Sequence, residues 1–139
     1  MRHQLKSFVH SSIHDILFSW LLGYRVGRLR LIFTLPPKSL PALFPRLMPP
    51  GPLAYVEWFT AFTTRDPIHG MYKVVKCMDV HGARLASIVE VSQIRRSCQL
   101  LPSFGPSAPR EWTSSTVLDE CETFFVNPFT DQHMYMTFV

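Results

Sequence analysis

Residues 24–36 read YRVGRLRLIFTLP. Leu29, Leu31, Phe33 and Leu35 fall on one parity, and Val26, Arg28, Arg30, Ile32 and Thr34 on the other. A period of two belongs to an extended chain, whose successive side chains point to opposite faces. The stretch therefore predicts a half-buried strand with its leucines inward and with Arg28 and Arg30 on a basic outer surface. Downstream, LAYVEWFTAF (53–62) is rich in aromatic and β-branched residues, with Tyr55, Glu57 and Phe59 opposing Ala54, Val56 and Trp58. MYKVVKCM (71–78) and LASIVEVSQI (85–94) repeat the pattern, and RRSCQLLPSFG (95–105) runs on into a turn. Between these runs, Asp66-Pro67 opens a turn that Gly70 closes, and DVHGAR (79–84) predicts a hairpin connection centred near His81-Gly82. Four or five short strands at this spacing predict a small SH3-like barrel or a strongly bent antiparallel sheet.

Two stretches change period. Ile13, Ile16, Leu17, Trp20 and Leu21 recur at helical spacing, with Ser12 and Asp15 in a capping-box relation and Gly23 placed to stop the run. They predict a helix over 12–22, so that residues 1–23 form an N-terminal helical segment ahead of a single β-rich, barrel-like domain at 24–139. Val117, Leu118, Cys121, Phe124 and Phe125 make a second stripe behind the caps Ser114, Ser115 and Thr116, which predicts a helix near 115–126 that ends ahead of Pro128. The last residues, DQHMYMTFV (131–139), alternate again and predict a final edge strand. The expected class is mainly β with flanking helices.

A chain of 139 residues fits one domain. Its hydrophobic fraction of 47% and aromatic fraction of 13% oppose disorder. Charge is divided unevenly: residues 1–50 hold seven basic side chains against the single acid Asp15, a balance of +6, whereas residues 51–139 hold seven basic and nine acidic ones, a balance of −2. The first part can meet a polyanion or an acidic neighbour. Cys77, Cys98 and Cys121 are odd in number, widely spaced and unaccompanied by a CxxC pair or a Cys-His cluster, which predicts reduced intracellular thiols and not a zinc site or a disulfide framework. His10, Ser11, Ser12, His14 and Asp15 interrupt the first apolar run, so neither a signal peptide nor a membrane span is expected.

No catalytic constellation emerges. Ser97-Cys98 with His69 or His81 lacks the context of a nucleophile elbow or of a papain-like site. Asp66 and Asp79 lie in turns, and Asp119, Glu120 and Glu122 on the polar side of the second helical stripe. The histidines stand in no metal-ligand spacing, and the six glycines are isolated, so no metal, no cofactor and no phosphate-cradling loop is expected. Two groups remain as recognition residues: Arg25, Arg28 and Arg30 toward a nucleic acid or an acidic partner, and Tyr55, Glu57, Trp58, Phe59 and Tyr72 as an aromatic surface. An aromatic cage with Glu57 would suit a methylated lysine. The same rings equally describe the core of a barrel.

From Tyr24 onward the chain resembles the C-terminal region of transposase-like proteins encoded by Plavaka-type, CACTA-related DNA transposons of mushroom-forming fungi. YRVGRLRLIFTLP, PLAYVEWFTAF, GMYKV, IRRSCQLLPSFG and WTSSTVLDECETFFVNPFTDQHMY carry the resemblance, in the expected order; residues 1–23 lie outside it. In that family the catalytic core lies upstream, so the resemblance implies a detached, non-catalytic accessory module. Its partners would be a chromatin protein, the remainder of a transposase, or DNA, inside the cell and in the nucleus. A structural remnant without independent activity is the alternative, and a hydrolase or nuclease a third. The strand order and the IRRSC step are also similar to the bromo-adjacent homology (BAH) type of SH3-like barrel. Where that motif reads I-x-G-K-C, this chain has Ile94-Arg95-Arg96-Ser97-Cys98, without the glycine.

Overall fold

A computed structural model describes residues 15–20, 23–46, 50–63, 65–129, 132 and 136, with side chains from Tyr24 onward. Strands β1 (Asp15–Trp20), β2 (Gly23–Phe33), β3 (Leu53–Trp58), β5 (Ala86–Glu90) and β6 (Ile94–Cys98) form an antiparallel sheet in the order β5-β3-β2-β1-β6. A second antiparallel sheet runs β4-β8-β7, from Lys73–Val75, Thr123–Val126 and Leu100–Pro102. The architecture is mainly β, as expected.

The larger sheet has to curl. Its outer strands β5 and β6 lie four inter-strand spacings apart, about 19 Å if the sheet were flat. Glu90 and Ile94, which end one and begin the other, are separated only by the 3₁₀ turn Val91–Gln93. Four residue steps span at most about 14 Å even fully extended, and a 3₁₀ turn spans less. The inner face of the curl holds Ala54, Val56 and Trp58, all buried, with Leu29, Cys77, Val89, Val91 and Ile94 packed against them. No β5–β6 ladder is present among the described residues, so the curl stops short of a closed barrel.

The smaller sheet covers one end of the outer face. Val26 and Phe59 from the larger sheet, Val74, Phe124 and Val126 from the smaller one, and Leu118 and Cys121 between them form a second core. Consecutive residues thus enter different cores, Trp58 the inner one and Phe59 the outer one, because strand side chains alternate faces.

Register explains where the long strand departs from the expected facing. Leu29 lies opposite Val56, but Leu31 lies opposite Tyr55, leaving Arg30 as an extra residue in a bulge. The bulge inverts parity: Leu29 faces the inner core, whereas Leu31 shares the outer face with Tyr55 and is about half exposed. Arg28, expected on a solvent surface, is buried, because its outer face is the one roofed beside the second sheet.

The helix expected over 12–22 is instead strand β1 from Asp15 to Trp20, with residues 12–14, 21 and 22 outside the described set. β1 is flanked by β2 and β6, so ladders on both sides take up its backbone groups; a helix of that length in water would be marginal. Residues 15–20 therefore contribute a strand to the sheet, where a helix was expected. The helix expected near 115–126 is a single turn, Val117–Glu120, after which Cys121 is extended and leads into β8. Phe124 and Val126 are buried there at a period of two, with β4 and β7 on either side. The edge strand expected over 131–139 lies outside the described residues but for Gln132 and Met136.

Candidate functional site: an ion network on the outer face

Charged side chains converge beside the second core. Arg28 on β2 faces Glu57 on β3 across the ladder, and its two terminal nitrogens donate to both carboxylate oxygens of Asp119, the second at 3.2 Å. This fork-to-fork pairing is the strongest geometry open to an arginine. The single helical turn Val117–Glu120 supplies Asp119, so the turn, short as it is, positions the counter-ion of a buried guanidinium. The Arg28 hydrogen bond holds the Asp119 carboxyl below its ordinary range, against a smaller opposing effect of burial.

Lys76 follows β4 and is buried on the same parity as Val74. Its ammonium donates to the backbone oxygen of Asp119 and lies 3.7 Å from a carboxylate oxygen of Glu122. Glu57 is held between Arg30, at 3.7 Å, and Arg84, at 3.8 Å. The Arg84 guanidinium also lies 5.1 Å from the centroid of the Phe59 ring. Burial pushes the Arg84 pKa down and the Glu57 charge opposes that; arginine nonetheless stays protonated in proteins. Arg28, Glu57, Lys76, Arg84, Asp119 and Glu122 line a cleft of about 180 Å³, with Met78 and Leu118 supplying apolar wall. Two guanidinium nitrogens of these residues, Arg28 Nε and Arg84 Nη1, are buried and have no acceptor among the described residues.

The three arginines expected to form one basic surface are separated. Arg28 is interior and Arg30 is partly exposed on the bulge. Arg25 is half-buried, its guanidinium 4.7 Å from the centroid of the Trp58 ring and its Nε donating to the Phe59 carbonyl at 3.0 Å. The aromatic group separates too. Trp58 is buried and donates its Nε1 hydrogen to Ser87 Oγ at 2.6 Å; Phe59 is fully buried. Tyr72 packs at 5.1 Å from Phe62, with the Arg65 guanidinium 5.3 Å from its ring. Of the five residues, Tyr55 is 40% exposed, and Glu57 belongs to the ion network. The core reading thus describes Trp58 and Phe59, and the five do not surround one cavity.

Other sequence candidates sit in turns or on strands. His69 Nδ1 is 2.6 Å from the Asp66 carboxylate, which also accepts the backbone hydrogens of Ile68 and His69; the His69 amide is the main reason the Asp66 pKa is lowered. His81 donates its backbone hydrogen to Asp79 in the hairpin turn, and Cys98 packs against the second core. Among the described residues no group of three or more His, Cys, Asp and Glu is arranged to hold a metal ion, and no helix is long and apolar enough to cross a membrane.

Sequence reasoning did not find Lys76, Arg84, Asp119 and Glu122 as members of a site. Lys76 carried a signal, since it alternates in phase with Val74 inside an apolar run. Asp119 carried none, because its partner lies 91 residues away. Comparison with protein-family models, curated proteins and solved structures finds no match to this chain.

Proposed function

We propose that this chain is a non-catalytic docking module of a transposase-like protein, which meets another protein through the uncovered part of its curled sheet. The observation that carries the reading is a row of apolar side chains on the outer face. Leu31, Tyr55 and Ile88 lie opposite one another on β2, β3 and β5, and are 48%, 40% and 59% exposed. Scattered apolar residues are normal on a surface, but a contiguous row beside a charged cleft is the composition of an interaction face. A curled sheet whose outer strands are joined by one short turn is also what a small SH3-like or BAH-like barrel would offer, and we read the fold that way. The partner is then the remainder of a transposase-like polypeptide or a chromatin protein, which implies work in the nucleus.

A protein partner is favoured over DNA by the state of the arginines. Phosphate contact needs cations free to neutralise charge, and Arg25 and Arg28 are already engaged within the protein. Two measurements test the reading. Duplex DNA titrated into the full chain at two salt concentrations is expected to bind weakly or not at all; tight binding that falls steeply with salt would replace docking by DNA contact. Leu31→Lys and Ile88→Lys are expected to change stability by no more than about 0.5 kcal/mol while lowering the binding of a hydrophobic fluorescent dye. A loss of several kcal/mol in both would mean that the row is covered in the free protein, and the docking face would be lost with it.

A further inference from the structure

Resting on the docking reading, we propose that the charged cleft beside the apolar row is a carboxylate-binding pocket, which receives an acidic side chain of the partner protein. Its deepest groups are cations. The Arg28 and Lys76 side chains are each only 6% exposed, whereas their acidic partners Asp119 and Glu122 are 62% and 64% exposed and stand at the rim. Glu57 is the one acid set low in the cleft, and it is shared between Arg30 and Arg84. Arg28 Nε and Arg84 Nη1 each carry a hydrogen for which the described residues supply no acceptor. A buried donor left unmatched is unfavourable, and one on a charged group more so. The two arginines that carry them line one cleft of about 180 Å³, several times the volume of a water molecule and ample for a carboxylate. An anion that accepts from either gains a charge-assisted hydrogen bond in a partly dehydrated setting.

The surroundings choose among anions. A nucleic-acid backbone would bring several phosphates past Asp119, Glu120 and Glu122, which are all exposed and acidic. A single carboxylate on a peptide passes that rim with far less repulsion. Tyr55 and Glu57 are two residues apart on the same face of β3, so a peptide acid in the cleft leaves its apolar neighbour within reach of the row.

The test uses the full chain labelled with ¹⁵N, at constant ionic strength, with side-chain signals of Arg28 and Arg84 observed directly. Acetyl-Leu-Glu-amide is the probe, acetyl-Leu-Gln-amide its neutral counterpart, and a short DNA duplex the phosphate source. The acid peptide is expected to shift both arginine signals saturably, the neutral peptide at least tenfold more weakly, and DNA not at all. Arg84→Gln, which spares the Arg28–Asp119 pair, is expected to weaken acid-peptide binding about tenfold without unfolding the protein; Arg84→Lys reports whether charge alone suffices. If both peptides shift Tyr55 and Ile88 equally while the arginines stay still, the pocket is refuted and the docking face stands. Silence at both places refutes the pocket and counts against the face as well. Saturable arginine shifts with DNA but not with peptide overturn the choice of ligand.

Discussion

A guanidinium inside a β-fold is tolerated when its charge and its donors are met, and at Arg28 the meeting is made by Asp119. Removing the acid leaves a buried cation, whereas the acid itself, being mostly exposed, loses little by being left alone. Asp119→Asn is therefore expected to destabilise the fold by about 1–2 kcal/mol at neutral pH, the range for a charge-assisted hydrogen bond reduced for solvent screening. The pH dependence has a definite sign. The folded state holds the Asp119 pKa below its ordinary value, so the unfolded chain binds the proton more readily. The stabilisation is complete above the ordinary carboxylate range near pH 4 and is lost as pH falls through the lowered value. Urea unfolding at pH 7 and at pH 3 should show the variant losing less stability between the two than the parent chain does. An equal loss in both proteins would mean that the pair contributes nothing. At this scale the sequence shows a residue's type but not its neighbour: Arg28 and Asp119 are both plain in the chain, and their pairing depends on a bulge and a helical turn far apart in sequence.

The elements divide by whether their cause is local. The hairpin between Met78 and Arg84 closes on itself: Asp79 accepts backbone hydrogens from His81 and Ala83, and Gly82 takes a positive φ of 79°. Everything needed lies between Met78 and Arg84, and Asp79 and Gly82 announce it. A methyl group on Gly82 would meet nothing within 4 Å, so its penalty is the backbone conformation alone. Gly82→Ala should therefore lower stability by about 1–2 kcal/mol. Gly105, with open space and no positive φ, is the control, and Gly105→Ala should be neutral or slightly stabilising. Thermal unfolding of the two variants decides it, since equal midpoints would show that the left-handed turn carries no strain for alanine. Strands β1 and β8 are the opposite case. Their apolar spacing fits a helix, and what makes them extended is pairing with β2 and β6, or with β4 and β7, which lie elsewhere in the chain. Spacing alone does not register a partner strand.

For the molecule as a whole, a β-rich single chain was legible because alternation recurs through β2, β3 and β5, while the division into two sheets was not. That division depends on consecutive residues facing different cores, which looks in sequence like one continuous aromatic run, Trp58-Phe59. Phe59 is the residue that fastens the sheets together. It is fully buried, its ring meets Phe124 of the smaller sheet edge-on at 5.7 Å, and its backbone hydrogen extends the β3 ladder to Val26. Truncating such a ring removes its transfer free energy and leaves a cavity, together about 3–5 kcal/mol. Set against a total of about 5–15 kcal/mol for a domain of this kind, that is a large share, and its distribution reveals how the two sheets are coupled. If they form one cooperative unit, Phe59→Ala will reduce hydrogen-exchange protection at the Val56 and Phe124 amides by the same factor, although Val56 sits in the inner core. If protection falls at Phe124 and persists at Val56, the curled sheet is stable without the smaller one. The ion network between them would then be a joint that opens without unfolding the docking face.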